Sequence, residues 1–551
     1  MKNRTIIQPV AIRLALLAGL ILITSSGAFG QEGRVRIDYT VEVASVENQL
    51  FHVTADVQNI RQPSLDLSLP TWTPGWYTVE NYAKNILRFH IVDNKGNRLP
   101  HHMTRKQTWR VKTAGLGRIR VEFDYRATVL ALNQAKISKD FAFFTGIELF
   151  LMAEGHRNSP STVRFKVPQG WKIISALKET ADPFTFTAED YDTLVDAPTQ
   201  LGVFDVTRFD VDGKPHYFAA TPAGAFSKEK TDRFCANMAR IVRAQSAIFG
   251  DHPYEMYVYF YFFLPAESNA SGALEHSNSH VAFAPPGEIA NPDNMAPLAS
   301  HEFFHTWNVK RIRPHEMWPY DYSRENETPL LWVSEGFTTY YTYVALHRAG
   351  LMGRDEFLRV LSGSIRNLEG NEARHYISPA DASTSTWLGY DTPVAFGISY
   401  YTQGQVLGAL LDVSILSDTR GKAGLDDVMR ALYRDFYHKN RGFSTDDLLA
   451  VINRISGRDY GDFFSKYVWG VEVPDYSSIF GQAGYRIEKT TRKVPALGLG
   501  FTLTSDSQVA ITRVSAGSTA AEAGLQSGDL ILKVDGRDPR QGFSLDDKMG
   551  Q

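Results

Sequence analysis

The residues best suited to chemistry lie close together in one short stretch, at His301, Glu302 and His305. On a helix, residues four apart lie one turn above each other, so the two histidines can direct their imidazoles at one point while Glu302 lies beside them. Two imidazole ligands and an adjacent carboxylate base on one rigid element are typical of zinc hydrolases. The stretch therefore predicts a metal site with Glu302 as its general base.

A third metal ligand must come from elsewhere, and two glutamates compete for that role. Glu325 follows His305 at a spacing familiar from thermolysin-like enzymes, whereas Glu335 lies farther along the chain. Glu325 lies in a polar run, residues 321–327, that indicates a loop, while Glu335 falls in the second turn of a predicted helix. We expect Glu335 to be the third ligand, with Glu325 as the alternative.

Two helices are needed to hold these ligands. The first is predicted to begin at a cap formed by Asp293 or Asn294 and to end at Pro314, because the residue before a proline resists the helical conformation. The second is predicted to begin at Thr328 and to end at Gly350. The two histidines and Glu335 then lie on separate, rigid elements.

A second carboxylate lies upstream, in a setting suited to substrate binding. Glu275 follows Gly272 and Ala273, whose small size would let a peptide backbone approach closely. Its charge could then pair with a cationic amine. The preceding run, residues 254–264, is almost continuously aromatic and apolar and predicts a buried strand.

The first thirty residues have the pattern of a signal peptide. Lys2, Arg4 and Arg13 precede an apolar run, residues 14–23, and small residues follow at 28–30. That run is too short for a good membrane span, so no stable membrane insertion is expected after cleavage. We expect a secreted protein, periplasmic or extracellular, with an uncleaved anchor as the alternative.

Composition limits the remaining possibilities. The chain has 551 residues, a formal charge of -3 and 43% hydrophobic residues, which predicts two to four domains. The near-neutral balance gives no reason to expect nucleic acid as a partner. A single cysteine, Cys235, excludes an intrachain disulfide bond, and its amphipathic helical context favours a buried, inert thiol.

Three structural regions follow the predicted signal peptide. Short alternating runs over residues 35–219 predict strands and favour a β-sandwich, in which the aromatic segment 70–77 is interpreted as a packed turn or, alternatively, as part of a substrate channel. A helical pattern covers residues 405–467. The end of the chain resembles part of a PDZ domain, with a possible carboxylate-binding loop at residues 498–501.

The motifs together resemble the glycyl aminopeptidase family of gluzincin zinc metallopeptidases. This resemblance implies a multidomain α+β fold. Its parts would be a signal peptide (1–30), an N-terminal β-sandwich-like domain (31–220), a thermolysin-like catalytic domain with a helical lobe (221–480) and a PDZ-like domain (485–551). The last is expected to be truncated, because a groove-forming helix and a final strand should still follow. A C-terminal peptide ligand for it is therefore only a weak expectation.

The resemblance also assigns roles to single residues. His301, His305 and Glu335 match the ligands of one zinc ion per chain, and Glu302 matches the base that takes a proton from the attacking water. Glu275, with the backbone of Gly272 and Ala273, matches the site that binds the substrate's free α-ammonium group. Tyr401, or alternatively Tyr400, matches the tyrosine that stabilises the oxyanion.

Two classes of function are consistent with these features. The first is a secreted zinc aminopeptidase that cleaves the first peptide bond after small residues such as glycine or alanine, a preference that rests on the resemblance alone. Within the enzyme class, the alternative is a zinc endopeptidase. The second class is a PDZ-type peptide-binding or adaptor protein with a vestigial metal site. The intact ligand set favours the enzyme.

Overall fold

A computed structural model describes residues 34–265, 272–285, 290–389, 396–490, 498–503 and 508–538 of the chain. The chain divides into two compact units, residues 1–485 and 486–551. The predicted signal peptide lies outside the described residues.

The first part of the larger unit is built almost entirely of strands, as the alternating runs predicted. They are β1 (Arg36–Ser45), β2 (Leu50–Gln58), β3 (Ser64–Ser68), β4 (Ile86–Asp93), β5 (His101–Arg105), β6 (Thr108–Lys112), β7 (Arg118–Arg126), β8 (Thr128–Ala131), β9 (Gln134–Ile137), β10 (Phe141–Thr145), β11 (Met152–Ala153), β12 (Ser161–Lys166), β13 (Lys172–Ser175), β14 (Lys178–Glu179), β15 (Thr185–Ala188) and β16 (Pro198–Gly202).

Within the described residues these strands form sheets in the orders β14-β15-β12-β1-β2-β7-β4, β13-β16-β10-β9-β8 and β11-β3-β6-β5. Strands β1 and β2 pair antiparallel with Tyr39 opposite Ala55, and alternate residues of both point inward. Side chains of all three sheets meet in one hydrophobic core, which includes Tyr39, Phe51, Trp109, Phe144 and Phe165. The predicted N-terminal β domain is confirmed.

A further sheet follows, with the order β17-β18-β19-β21-β20. Its strands are β17 (Asp205–Val211), β18 (Lys214–Thr221), β19 (Tyr257–Phe263), β20 (Gly272–His276) and β21 (Ser279–Ala284). Strand β19 is parallel to both neighbours and is buried along its whole length, which explains its aromatic sequence. Strand β20, which carries Glu275, is the antiparallel strand at one edge. The predicted domain boundary at residue 220 falls at the end of β18.

Helices make up most of the rest of the larger unit. They are α1 (Gly146–Leu149), α2 (Tyr191–Val195), α3 (Lys228–Phe249), α4 (Ala296–Phe304), α5 (Thr338–Arg348), α6 (Arg354–Glu369), α7 (Pro379–Thr384), α8 (Tyr400–Asp418), α9 (Leu425–Asp435), α10 (Thr445–Ser456), α11 (Gly461–Tyr467) and α12 (Tyr476–Gln482). Short 3-10 helices lie at Tyr82–Asn85, Pro292–Met295, His315–Met317, Glu372–His375, Ser385–Leu388 and Tyr437–Lys439. Of the helices in the described ranges, none combines the length and apolarity needed to cross a membrane.

Helix α4, which contains His301 and is followed directly by His305, begins differently from the prediction. Its start is a 3-10 turn capped by Asn291, whose side chain accepts a hydrogen bond from the backbone N–H of Asp293. Asp293 does not cap the helix, and its carboxylate instead accepts hydrogen bonds from Arg233 and Asn237 of α3. The predicted cap at Asp293 or Asn294 was therefore wrong.

Helix α4 also ends at Phe304, well before the predicted stop at Pro314. The next residues make hydrogen bonds that a continued helix would not allow. The carbonyl of Asn308 accepts a hydrogen bond from Nδ1 of His305 at 2.6 Å, and the Asn308 side-chain amide donates to the carbonyl of Val333 at 2.9 Å. Contacts with the second ligand-bearing segment, rather than local helix propensity, determine where α4 ends.

The segment that carries Glu335 is a π-helix, Trp332–Phe337, which leads directly into α5. The sequence predicted an uninterrupted helix from Thr328 to Gly350. The observed helical segment is shorter, from Trp332 to Arg348, and its first part is π-helical. π-Helical turns are short, are wider than α-turns and frequently occur at functional sites.

Two glycines bring α8 against this π-helix. A Cβ atom on Gly404 of α8 would lie 1.9 Å from the carbonyl oxygen of Trp332, and one on Gly336 would lie 2.3 Å from the Cα of Gly404. Backbone therefore packs directly on backbone. This contact fixes the start of α8 relative to Glu335.

The C-terminal unit contains strands β22 (Leu499–Leu503), β23 (Val509–Val514) and β24 (Leu530–Ile531) and helix α13 (Thr519–Glu522). In the described residues, β23 pairs antiparallel with both other strands. Residues 539–551 lie outside the described residues, so the expected truncation stays a prediction.

We expect Gly404→Ala to lower the free energy of unfolding by about 3 kcal/mol, because the new methyl group cannot fit against the Trp332 carbonyl. The matched control is Gly363→Ala within α6, where a Cβ meets only the end of an arginine side chain at 3.7 Å. That change should stabilise the protein by up to about 1 kcal/mol. Denaturant unfolding of both variants measures the difference, and equal stabilities would contradict the proposed tight contact.

Candidate metal centre and active site

Three side chains from two helical segments meet at one point. Nε2 of His301 and Nε2 of His305 lie 3.4 and 3.2 Å from the same atom, Oε2 of Glu335. His305 and Glu335 are buried, and His301 is nearly so. Glu325, the alternative ligand, is not in any group of possible ligands that the described residues form around these histidines.

The histidine rings are held by their other nitrogen atoms. Nδ1 of His305 donates to the Asn308 carbonyl, and Nδ1 of His301 lies 3.3 Å from the hydroxyl of Thr342. With Nδ1 occupied in this way, each Nε2 faces Glu335 and is the nitrogen available to coordinate a metal ion. Hydrogen bonds of this kind orient ligand histidines in metal sites.

Asn308 connects the turn after α4 to the π-helix, a role that was not predicted from the sequence. Its side-chain amide donates to the carbonyls of Val333 and Ser334 at 2.9 and 3.1 Å, and its carbonyl accepts from the Thr338 hydroxyl at 3.2 Å. It therefore ties the turn after α4 to the π-helix. The only sequence signal was its position shortly after the second histidine.

The electrostatics of the cluster suit a cation. Burial would raise the pKa of Glu335, but the imidazoles of His305 and His301 outweigh it and hold that pKa below its usual range. Two imidazole nitrogens and one ionised carboxylate oxygen form a donor set that zinc prefers. The residues present therefore fit a zinc ion.

Glu302 lies beside these ligands, as the helical spacing predicted. Its side chain is buried, and Oε2 has no hydrogen-bond partner within the described part of the chain. Burial raises its pKa well above the usual value; His305 opposes this rise, and the carboxylates of Glu275 and Glu335 add to it. A buried carboxyl with a raised pKa is suited to accept and release a proton near neutral pH.

Glu275 approaches the cluster from the sheet. A carboxylate oxygen of Glu275 and ligand atoms of Glu302 and His305 all lie within 4.8 Å of one another. Oε1 of Glu275 is buried and, among the described residues, has no hydrogen-bond partner. Gly272 and Ala273 lie on the same strand, β20, at the edge of the sheet. The structure thus brings the predicted amine-binding residues next to the predicted metal ligands.

A buried ion pair between Lys310 and Asp196 lies at the end of strand β20. Nζ of Lys310 donates to Oδ1 of Asp196 at 2.9 Å, and Nδ1 of His276 lies 3.1 Å from the same oxygen. The backbone N–H of Ser277 donates to the other carboxylate oxygen. Asp196 belongs to the β region, so the pair connects that region to the turn after α4 and to the strand of Glu275. Nothing in the sequence indicated this ion pair, because Asp196 precedes Lys310 by 114 residues and no local spacing relates them.

The two candidate tyrosines lie at the start of α8, where Ser399 caps the helix. The ring of Tyr401 lies 6.0 Å from that of His301, centroid to centroid. The hydroxyl of Tyr400 lies 3.2 Å from that of Thr386. Tyr401 is thus the one in ring contact with a candidate metal ligand.

Family models match three parts of the chain. Residues 38–203 match the Peptidase M61 N-terminal domain, residues 294–407 match M61 glycyl aminopeptidase, and residues 510–547 match the PDZ domain. No curated protein matches the chain.

Two solved structures illustrate the similarity in fold. An aminopeptidase N family protein from Idiomarina loihiensis is 23% identical with a TM-score of 0.81, and the match covers 91% of this chain and 90% of that chain. An M1 zinc metallopeptidase mutant from Deinococcus radiodurans, bound to a Tyr-Ser-Ala substrate, is 17% identical with a TM-score of 0.51. That match covers 81% of this chain and 96% of the other.

We expect Glu335→Gln to weaken zinc binding by more than about 100-fold, because loss of an outer-sphere partner alone costs 10- to 100-fold. Glu325→Gln, a matched change in the nearby loop, should bind zinc like the wild type. Competitive titration of the purified apoproteins with a zinc indicator measures both affinities. Loss of zinc from the Glu325 variant, with normal binding by the Glu335 variant, would reverse the ligand assignment.

Proposed function

Because the chain belongs to the M61 glycyl aminopeptidase family and is a zinc aminopeptidase, we propose that it removes small N-terminal residues, glycine or alanine, from peptides with a free N-terminus. We further propose that it acts as a secreted enzyme, periplasmic or extracellular, since residues 1–30 have the pattern of a signal peptide. The preference for small residues rests on the family match.

The observation that carries this proposal is the short distance between Glu275 and the candidate metal centre. Its carboxylate lies within 4.8 Å of the ligand atoms of Glu302 and His305. One residue spans about 3.5 Å of extended chain. An α-ammonium group paired with Glu275 would therefore leave only the first peptide bond at the metal ligands, which is the requirement for an aminopeptidase.

We assign the metal to His301, His305 and Glu335, with one zinc ion per chain. When bound there, zinc lowers the pKa of a water molecule and polarises a carbonyl group. The protein holds these ligands in place through Asn308 and Thr342, so their positions do not depend on a flexible loop.

Glu302 is the proposed general base. Its free, buried Oε2 accepts the proton of the attacking water, and the same carboxyl then donates that proton to the leaving amine. The raised pKa of Glu302 supports the second step, because burial favours the protonated carboxyl that donates to the leaving amine. Burial also keeps bulk water from competing for the proton.

Tyr401 is the proposed oxyanion donor, with Tyr400 as the alternative. A phenol can stabilise the developing negative charge only if it is preorganised at that position. The packing of Gly404 against the π-helix supports this role, because it fixes the start of α8 relative to Glu335.

The first test of the function compares wild type with Glu302→Gln. We expect both proteins to bind about one zinc ion, with kcat of the variant lower by about 100- to 10,000-fold, since only the base is removed. The substrates are matched Gly- and Ala-peptides with free and with acetylated N-termini. Chelation of the zinc should abolish activity and added zinc should restore it. Zinc binding without cleavage by the wild type would instead favour a binding role.

The second test asks whether Glu275 selects free N-termini. We expect Glu275→Gln to lower kcat/KM for free Gly-peptides by about 10- to 100-fold, because the variant loses a charge-assisted hydrogen bond to the ammonium group. Glu327→Gln changes an exposed carboxylate and serves as the control. If cleavage of acetylated peptides by the wild type matched that of free peptides, the endopeptidase alternative would hold.

A further inference from the structure

A hairpin of the β domain, residues 71–77, extends into the active site. It is fixed to the loop before the π-helix by hydrogen bonds from the backbone N–H of Thr71 to the carbonyl of Tyr322, at 2.8 Å, and from Nε1 of Trp72 to the carbonyl of Asp321, at 2.9 Å. Trp72 is fully buried. The hairpin is therefore held rigidly, and its tip has a defined position.

The tip of the hairpin covers Glu275. Thr73 and Trp76 form a bridge that closes the turn, and Gly75 between them has a φ of +95°. A Cβ atom on Gly75 would lie 2.6 Å from each carboxylate oxygen of Glu275. Glycine satisfies both requirements, the left-handed backbone and the lack of space. One side of the proposed amine-binding carboxylate is thus closed by main chain.

Tyr77 follows this tip and reaches the catalytic cluster. Its ring packs edge-on against Trp387, with the centroids 5.8 Å apart. Burial raises the pKa of the Tyr77 phenol well above its usual value, and the carboxylates of Glu335 and Glu275 raise it further. Ionisation of Tyr77 would also raise the pKa of the Tyr401 phenol. The phenol therefore lies near the amine-binding carboxylate, a candidate metal ligand and the oxyanion donor together.

The position of the Tyr77 side chain determines which part of a bound peptide it would contact. In the proposed function, the first residue of a peptide has its ammonium group at Glu275 and its carbonyl at the ligands that include Glu335. The Cα atom between those two groups, and the side chain it bears, must then lie beside Tyr77. We propose that Tyr77 is the residue that limits the first side chain of the substrate to a hydrogen atom or a methyl group.

The inference rests on the proposed aminopeptidase function and specifies its substrate class. Peptides that begin with glycine or alanine fit beside the Tyr77 ring, and peptides that begin with leucine or phenylalanine collide with it. The backbone of Gly75 cannot move aside, because the hairpin is bonded to the loop at Asp321 and Tyr322. The β domain, and not the zinc-binding helices, then determines the selectivity.

The test measures kcat/KM for peptides that differ only in their first residue: glycine, alanine, leucine or phenylalanine. We expect Tyr77→Ala to raise the leucine-to-glycine ratio by at least about 10-fold, since a pocket discriminates by about 10- to 200-fold per methylene. Tyr77→Phe keeps the ring and should keep the ratio. Tyr376→Ala, a tyrosine 57% exposed elsewhere on the surface, is the matched control.

A variant that does not fold is recognised by zinc content and thermal unfolding. In that case Tyr77→Trp replaces Tyr77→Ala, and its larger ring should lower the alanine-to-glycine ratio by at least about 10-fold. A folded, zinc-loaded variant with an unchanged ratio would overturn the inference while leaving the aminopeptidase function intact. A wild type that cleaves no free Gly- or Ala-peptide would overturn the proposed function and the inference together.

Discussion

The carboxylates of Glu275, Glu302 and Glu335 are buried together, and burial of like charges costs free energy unless cations accompany them. Lys310 is near, but its charge is already balanced by Asp196. Protonation of His301 and His305 would lower this free-energy cost. A protonated imidazole, however, no longer has the lone pair that would bind a metal ion. A divalent ion and a substrate ammonium group would supply the missing positive charge. The histidines could then remain neutral ligands, and Glu275 could bind the ammonium group.

The rest of the fold serves to hold these carboxylates close to one another. They come from three separate elements: the edge strand β20, helix α4 and the π-helix. Asn308 joins α4 to the π-helix, and the contact of Gly404 with Trp332 joins the π-helix to α8. Because these connections are backbone contacts and buried hydrogen bonds, the site is rigid where the chemistry needs short distances.

Sequence analysis predicted the parts of the site that depend on local spacing. The i,i+4 rule placed His301 and His305 together, and helical context favoured Glu335 over Glu325. It failed where tertiary contacts override local preference, as in the early end of α4 and the π-helical turn at Glu335. The helix-stopping effect of Pro314 was a sound rule, but hydrogen bonds of Asn308 ended the helix first.

Residues from distant parts of the chain could not be assigned in this way. No spacing rule relates Asp196 to Lys310, because sheet topology and not helical periodicity brings them together. Tyr77 lay in a segment that was noticed for its aromatic content, yet a packed turn was the favoured interpretation. The segment is a packed turn, and its tip also lies against Glu275 of the candidate active site. Composition alone cannot distinguish these two roles.

The order of these parts along the chain has a consequence for biosynthesis. The hairpin and Asp196 belong to the β domain, which leaves the ribosome before the helices that carry the candidate metal ligands and can fold first. The helices then dock on a surface that is already formed, and the docking encloses Lys310 against Asp196. A nascent or partly folded chain therefore has the candidate ligands but lacks the β-domain hairpin beside them. Hydrolytic activity would therefore begin only after the helices have docked on the β domain.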